Sequence, residues 1–339
     1  MSKIRVLVCD DSLLFRETIA NALNEDKDIE VIGTACNAFE ARDKIVQLRP
    51  DVVTLDVEMP KMSGIDFLKK LIPQYPIPVI VVSSSAVTSF DAISAGAVDY
   101  IKKPIAHSMA SIQVFAVHLC NKVKIAAVAK VKVPKSSQLS TMSALKLKSA
   151  VPSSKIIALG ASTGGTDALQ VVLQNLPANT PGIVIVQHMP AGFTKMYAER
   201  MDRICRMNVK EAEDGDRVET GKVIIAAGGF HLRLCKDLKG YYVSSKLGDK
   251  VSGHCPSVDV LFDSVADTAG SNAIGAILTG MGSDGAKGLL KMRKAGAFTI
   301  GQDKESCVVY GMPMVAYDIG AVVKQAPLQN IAEIILENL

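Results

Sequence analysis

The sequence predicts an α/β protein made of two doubly wound parallel-sheet domains. Short apolar, β-branched runs alternate with helix-period patterns in both halves of the chain. A stretch rich in lysine and serine separates the two sets. Several runs end in small or polar residues, and parallel sheets open into sites at their strands' carboxyl ends.

In the first half, Ile4–Cys9, Glu30–Thr34, Val52–Leu55, Val79–Val82 and Val98–Ile101 read as strands. Leu13–Leu23 and Phe39–Leu48 carry helical patterns between them, and Ile105–Ile125 reads as the closing helix of a domain over 1–125. Lys130–Ser154 holds seven serines and two prolines, several lysines, no acid and no aromatic, which is the composition of a linker. The linker is placed at 126–154, and about 25 such residues span roughly 28 Å if flexible. Alternation resumes over 155–339, with strand-like runs at 155–160, 182–187, 222–227, 273–279 and 297–301.

The 339 residues, 48% hydrophobic, suffice to fill two cores. No apolar run approaches the roughly 18 residues a membrane span needs. Met1–Asp11 turns acidic too early for a signal peptide, so a cytoplasmic location with no membrane insertion is expected. Seven scattered cysteines lack C-x-x-C spacing, and Cys9 and Cys307, which adjoin valines, read as core thiols. The net charge of +4 is uneven: ten lysines and no acid lie between Asp99 and Asp167, leaving the remainder at −6. A basic excess confined to one segment argues against a nucleic-acid-binding surface.

Asp10 and Asp11 follow the first strand, Asp56 the third, Ser83 the fourth and Lys103 the fifth. All fall on one edge of a parallel sheet. Clustered carboxylates repel unless a cation neutralises them, and oxygen donors at an open site suit Mg²⁺. Carboxylates capping helices after strands explain one or two of these residues, not the set. The set, with Tyr100 ahead of Lys103-Pro104, resembles the response-regulator receiver family over about residues 3–125. Leu55-Asp56-Val57-Glu58-Met59-Pro60, followed by Gly64, resembles its phosphorylation loop. The resemblance implies a flavodoxin-like domain with Asp56 as phospho-acceptor. It implies Mg²⁺ on Asp11, Asp56 and the Glu58 carbonyl, with Asp10 assisting through water. Ser83 and Tyr100 would be the switch pair and Lys103 would balance the phosphoryl charge.

In the second half three apolar runs end in reactive side chains: KIIALGASTGGT delivers Ser162, GIVIVQHM delivers His188 and AIGAILTGMGSDG delivers Asp284. A serine needs a base, and the base a third group to fix its tautomer. Gly160–Gly164 satisfies G-x-S-x-G, yet the order Ser, His, Asp is not that of an α/β-hydrolase. The glycines do not form G-x-G-x-x-G either, which disfavours a dinucleotide loop. Gly164 and Gly165 can bare backbone N–H groups at a helix start, which suits an oxyanion. Taken singly, Ser162 could be a structural turn residue, His188 a cap and Asp284 the N-cap of a helix over 286–295. Adjacent His254 and Cys255 lack further partners for a metal.

GASTGGTD, QHMPAGFT, EAEDGDRV, PSVDVLF, TGMGSDG and SCVVYGMP, in this order, resemble the chemotaxis protein-glutamate methylesterase (CheB) family. With the receiver, the resemblance covers nearly the whole chain. It implies a Rossmann-like methylesterase domain with Ser162 as nucleophile, His188 as general base then acid, and Asp284 as its orienter. Thr163 and Met281 would help position the histidine and supply oxyanion donors. The implied substrates are glutamate γ-methyl esters and glutamines on methyl-accepting chemotaxis receptors, and the implied phosphodonor is a chemotaxis histidine kinase. A monomer is expected, with no cofactor in the catalytic domain. A non-catalytic, phosphorylation-dependent adaptor and a related amidase are the alternatives. Cys255 stands where a basic residue is expected.

Overall fold

The computed structural model describes residues 2–84, 86–104, 109–131 and 154–339. The chain divides into two compact units, Met1–Gln138 and Leu139–Leu339. Most of the segment assigned to a linker, 132–153, lies outside the described residues, as do 105–108 at the start of the expected closing helix. Among the described residues no helix is long and apolar enough to cross a membrane.

The N-terminal unit alternates β1 (Ile4–Cys9), α1 (Leu13–Asn24), β2 (Ile29–Ala35), α2 (Ala38–Leu48), β3 (Val52–Asp56), α3 (Gly64–Gln74), β4 (Val79–Ser83), α4 (Ala86–Ser94), β5 (Asp99–Lys102) and α5 (Met109–Ala126). Its five strands are parallel in the order β2-β1-β3-β4-β5, the flavodoxin-like winding. β3 and β4 are buried throughout, which is why both read as near-continuous apolar runs, interrupted in β3 by Thr54, rather than alternating ones. Ser12, Asn37 and Ser63 cap α1, α2 and α3 through their side-chain oxygens, fixing where each helix leaves the sheet edge.

The C-terminal unit contains β6 (Ile156–Ala161), α6 (Gly165–Gln174), β7 (Ile183–Gln187), α7 (Phe193–Ile204), β8 (Asn208–Glu211), β9 (Lys222–Ile225), β10 (Phe230–Asp237), β11 (Gly240–Leu247), α8 (Val258–Ala269), β12 (Ala273–Ile277), α9 (Ala286–Lys294), β13 (Phe298–Gln302), α10 (Met312–Asp318), β14 (Lys324–Ala326) and α11 (Ile331–Glu337). Seven strands form one parallel sheet, β14-β13-β12-β6-β7-β9-β8. β8 and β14 are short edge strands that the apolar-run criterion passed over.

The parallel-sheet class needs one addition. β10 and β11 form a separate antiparallel hairpin, outside the main sheet. Its core side chains, Leu232, Leu234 and Val243, join Val258, Leu261, Phe262 and Val265 of α8 in one buried cluster. α8 buries residues spaced three and four apart, as a helix covered on one broad face must. The hairpin therefore shields α8, and α8 in turn reaches the strand ends of the main sheet.

Candidate active site

In the C-terminal unit β6 lies between β12 and β7, so the chain's winding reverses between β6 and β12. Sites form outside the carboxyl ends of strands at such a point. Ala161 of β6 pairs with Gln187 of β7, so Ser162 and His188 leave neighbouring strands at the same level. On the other side Gly160 pairs with Ile277 of β12. The Ser162 N–H then donates to the Thr279 carbonyl at 3.0 Å, tying the serine turn to the segment that carries Asp284.

The structure brings His188 and Asp284 into contact: His188 Nε2 lies 2.8 Å from Asp284 Oδ2. A carboxylate only accepts, so Nε2 carries the proton and Nδ1 is the basic nitrogen. Nδ1 is buried with no hydrogen-bond partner, so the structure does not join it to Ser162. The imidazole also stacks on His254, with centroids 3.7 Å apart and planes inclined by 8°. This stack holds the ring plane.

Asp284 is not the N-cap of α9; that position is Gly285, at φ +90°. A Cβ there would lie 2.4 Å from Val258 Cγ1, so only glycine permits the turn. Asp284 points instead at the start of α8. Oδ2 accepts from the Val258 N–H at 2.7 Å as well as from His188, and Oδ1 accepts from Ser257 Oγ at 2.7 Å and the Asp259 N–H at 3.0 Å. Four donors saturate the carboxylate at a helix N-terminus, where negative charge is favoured. Burial pushes the carboxyl up, but the His188 proton and charge and the Ser257 and Asp259 donors outweigh it and hold it below the usual carboxylate range. Asp259, behind it, is pushed up by burial, with a donor from the Gly288 N–H at 2.8 Å partly offsetting the rise. Two adjacent carboxyls driven in opposite directions leave the charge on Asp284.

Thr163 is buried, and its carbonyl accepts from Thr279 Oγ1 at 3.0 Å. Met281 is 44% exposed, on the turn that leads to Asp284. Gly164 caps α6 at φ +75° with no side-chain cap bond, and a Cβ there would lie 2.6 Å from Val308. The N-cap position of α6 therefore supplies no side-chain acceptor to the helix's first N–H groups. Gln187 Nε2 donates to the Ser162 carbonyl at 2.9 Å and braces the serine turn from β7.

In the N-terminal unit Asp10, Asp11 and Asp56 offer carboxylate oxygens all within 4.8 Å of one another, the one such acidic group among the described residues. Hard oxygen donors at this spacing fit Mg²⁺. Lys103 Nζ lies 2.7 Å from Asp56 Oδ2 and 2.9 Å from Asp10 Oδ2. Burial raises the Asp56 carboxyl despite this lysine, while for Lys103 the two carboxylates outweigh burial and raise the ammonium. Ser83 is fully buried and its hydroxyl lies 2.7 Å from Thr88 Oγ1, a partner the sequence reading did not name. Tyr100 is buried edge-on to Phe90, and burial raises its hydroxyl. The Glu58 N–H donates to Asp56 Oδ1 at 3.2 Å, and the Glu58 carboxylate accepts from Ser84 Oγ at 3.0 Å.

Sequence reasoning gave no role to His231, Ser257 and Asp259 around Asp284, and weighed His254 only as a metal ligand. The serine had a signal: S-V-D directly before an apolar run marks a helix N-cap. The histidines had none, because each acts through a contact between distant segments.

Fold and site together define a two-unit α/β protein pairing an acidic strand-end pocket with a buried His–Asp pair of the kind hydrolases use. Residues 157–335 match the CheB methylesterase family and residues 6–112 the response regulator receiver domain, and the chain belongs to the CheB methylesterase family. It is 53% identical over 333 residues to the protein-glutamate methylesterase/protein-glutamine glutaminase 2 of Syntrophomonas wolfei, covering 98% of this chain and 97% of that one. It is 50% identical over 342 residues to the protein-glutamate methylesterase/protein-glutamine glutaminase 1 of Caulobacter vibrioides, covering 99% and 98%. The crystal structure of the Thermotoga maritima CheB methylesterase catalytic domain matches with TM-score 0.53 and 43% identity, over 55% of this chain and 98% of that one.

Proposed function

We propose that this chain is a phosphorylation-controlled serine esterase of the cytoplasm. It hydrolyses glutamate γ-methyl esters on chemoreceptor helices and deamidates receptor glutamines by the same acyl transfer. The observation that carries the reading is the His188–Asp284 contact at 2.8 Å, which leaves a proton-free nitrogen on the residue that follows the strand beside the one delivering Ser162.

Ser162 Oγ attacks the ester carbonyl carbon while its proton passes to His188 Nδ1. Asp284 stabilises the imidazolium, and backbone N–H groups at the start of α6, with those of Thr163 and Met281, receive the oxyanion. Collapse breaks the C–O bond, His188 returns its proton, and methanol leaves. Water then attacks the acyl-serine, giving its proton to His188, and glutamate is released as Ser162 regains its hydrogen. A glutamine follows the same path with ammonia as leaving group. In the N-terminal unit Asp56 accepts a phosphoryl group from a chemotaxis histidine kinase, and Lys103 and Ser83 contact its oxygens. Asp11, Asp56 and the Glu58 carbonyl, with Asp10 behind them, would hold a Mg²⁺ that neutralises charge during that transfer. Tyr100 and Ser83 report the phosphoryl group, and the phosphorylated receiver raises access of the receptor helix to Ser162.

The test is methanol release from methylated receptor membranes, with and without a small-molecule phosphodonor and Mg²⁺. The expected result is hydrolysis that rises with the phosphodonor. Absence of methanol release under both conditions would overturn the reading.

A further inference from the structure

His231 lies on β10, the strand nobody would place near the chemistry from sequence, and it is 3% exposed. Its Nε2 sits 2.7 Å from the Asp249 carbonyl oxygen. A carbonyl only accepts, so Nε2 carries the ring proton and Nδ1 is an acceptor. Nδ1 receives the Ser257 N–H at 3.3 Å. Ser257 is fully buried and precedes the first turn of α8, so its N–H has no place in the helical ladder. A buried N–H needs an acceptor, and His231 is the one supplied.

The Ser257 hydroxyl is equally committed. It donates to Asp284 Oδ1 at 2.7 Å and accepts from the Val260 N–H at 3.4 Å. The contacts thus run Asp249 carbonyl, His231, Ser257, Asp284, His188. Each link has a fixed donor direction, from the Nε2 proton and the Ser257 N–H onward. Gly248 closes the ring in: a Cβ at 248 would lie 2.7 Å from His231 Cδ2.

We propose that His231 is a positioning residue for the Asp284–His188 pair, its unprotonated Nδ1 anchoring Ser257 so that the serine hydroxyl fixes the carboxylate that orients His188. Without that anchor Ser257 loses its hold on Oδ1, and the carboxylate can turn away from Nε2. A catalytic group displaced by more than about 0.5 Å from its productive geometry loses rate rather than binding. The proposal rests on the roles given above to His188 and Asp284.

Two amides separate the nitrogens' tasks. In His231→Asn the side-chain oxygen can replace the Nδ1 acceptor, while the donor to Asp249 is lost. In His231→Gln the side-chain nitrogen can replace the Nε2 donor, while the acceptor toward Ser257 is lost. Both variants are made in the full chain. They are compared by kcat and KM for receptor methyl-ester hydrolysis, by thermal midpoint, and by the proton resonance of His188 Nε2–H in ¹⁵N-histidine-labelled protein. The expected result is a kcat loss of about tenfold, or about 1.4 kcal/mol, in His231→Gln at unchanged KM. Its His188 resonance shifts, while His231→Asn restores most of both and the two thermal midpoints fall together. Equal kcat losses that follow the thermal midpoints would overturn the proposal, as would an unshifted His188 resonance in His231→Gln. If that variant does not fold, Gly248→Ala, which presses a methyl group on the ring, takes its place with the same two outcomes for the resonance. The resonance needs no substrate, so a wild-type chain that fails to release methanol refutes the esterase reading and leaves the positioning test standing.

Discussion

Asp284→Asn probes the site with the least change in shape. The carboxylate takes two donors on each oxygen. A carboxamide offers oxygen on one side and an NH₂ on the other, so one donor pair must face hydrogens. If the nitrogen faces Ser257 and Asp259, the Ser257 hydroxyl can turn to accept, but the Asp259 N–H is opposed. If it faces His188 and Val258, His188 must move its proton to Nδ1 and the Val258 N–H is opposed. Either way one buried backbone N–H is stranded, at a cost of about 1–3 kcal/mol in stability. Catalysis loses more. At a charge separation of about 4 Å and an effective dielectric near 20, a carboxylate stabilises an imidazolium by about 4 kcal/mol. At 1.36 kcal/mol per decade that is about 10³ in kcat, and a tautomer flip takes it to about 10⁴. The assay is methanol release at saturating methylated receptor, beside a thermal melt showing that the variant folds. A folded Asp284→Asn chain with kcat within about tenfold of wild type would refute the reasoning, since one decade is less than the charge alone contributes.

Ser162→Ala and His188→Ala should each nearly abolish hydrolysis, and the double variant should be little worse than either, because they act as one unit; additive losses in the same assay would separate their roles. Asp56→Ala should fold and keep basal hydrolysis but lose its response to phosphodonor and Mg²⁺, and mass spectrometry showing undiminished phosphorylation would move the acceptor elsewhere. Glu40 gives a pH signature: the Cys36 N–H, then Lys44, hold its carboxyl at about 2 against an ordinary 4.5. Its folded-state value is depressed, so its contribution is full above 4.5 and fades as pH falls through about 2. Urea midpoints of Glu40→Gln should therefore lie below wild type at neutral pH, by less than about 1 kcal/mol for so exposed a pair, and converge with it in strong acid.

The two parallel sheets were legible because strands buried on both faces are nearly all apolar, as β3, β4, β6, β7 and β12 are, each buried along its whole length. The placement of Ser162, His188 and Asp284 beyond strand ends was legible because each closes such a run. The β10–β11 hairpin was not, because its buried and exposed residues are interleaved and its core is short. A search for unbroken apolar runs passes over that pattern. The reading of Asp284 as a possible N-cap failed for a related reason. The helix it serves is α8, not α9, and only the folded arrangement brings the start of α8 to it. The support around Asp284 comes from contacts 25 to 27 positions apart, which no local pattern encodes.

The strand order has a consequence for biogenesis. Ser162 and Asp284 sit on segments whose junction includes a hydrogen bond between residues 116 positions apart, from Thr279 to Thr163. A ribosome-bound chain that has emerged only through β11 holds Ser162 and His188 but not Asp284. Closure of so long a loop comes late, after local elements have formed. On the proposed roles, hydrolysis would wait on completion of the chain, and turnover in a refolding mixture would count finished molecules rather than collapsed ones.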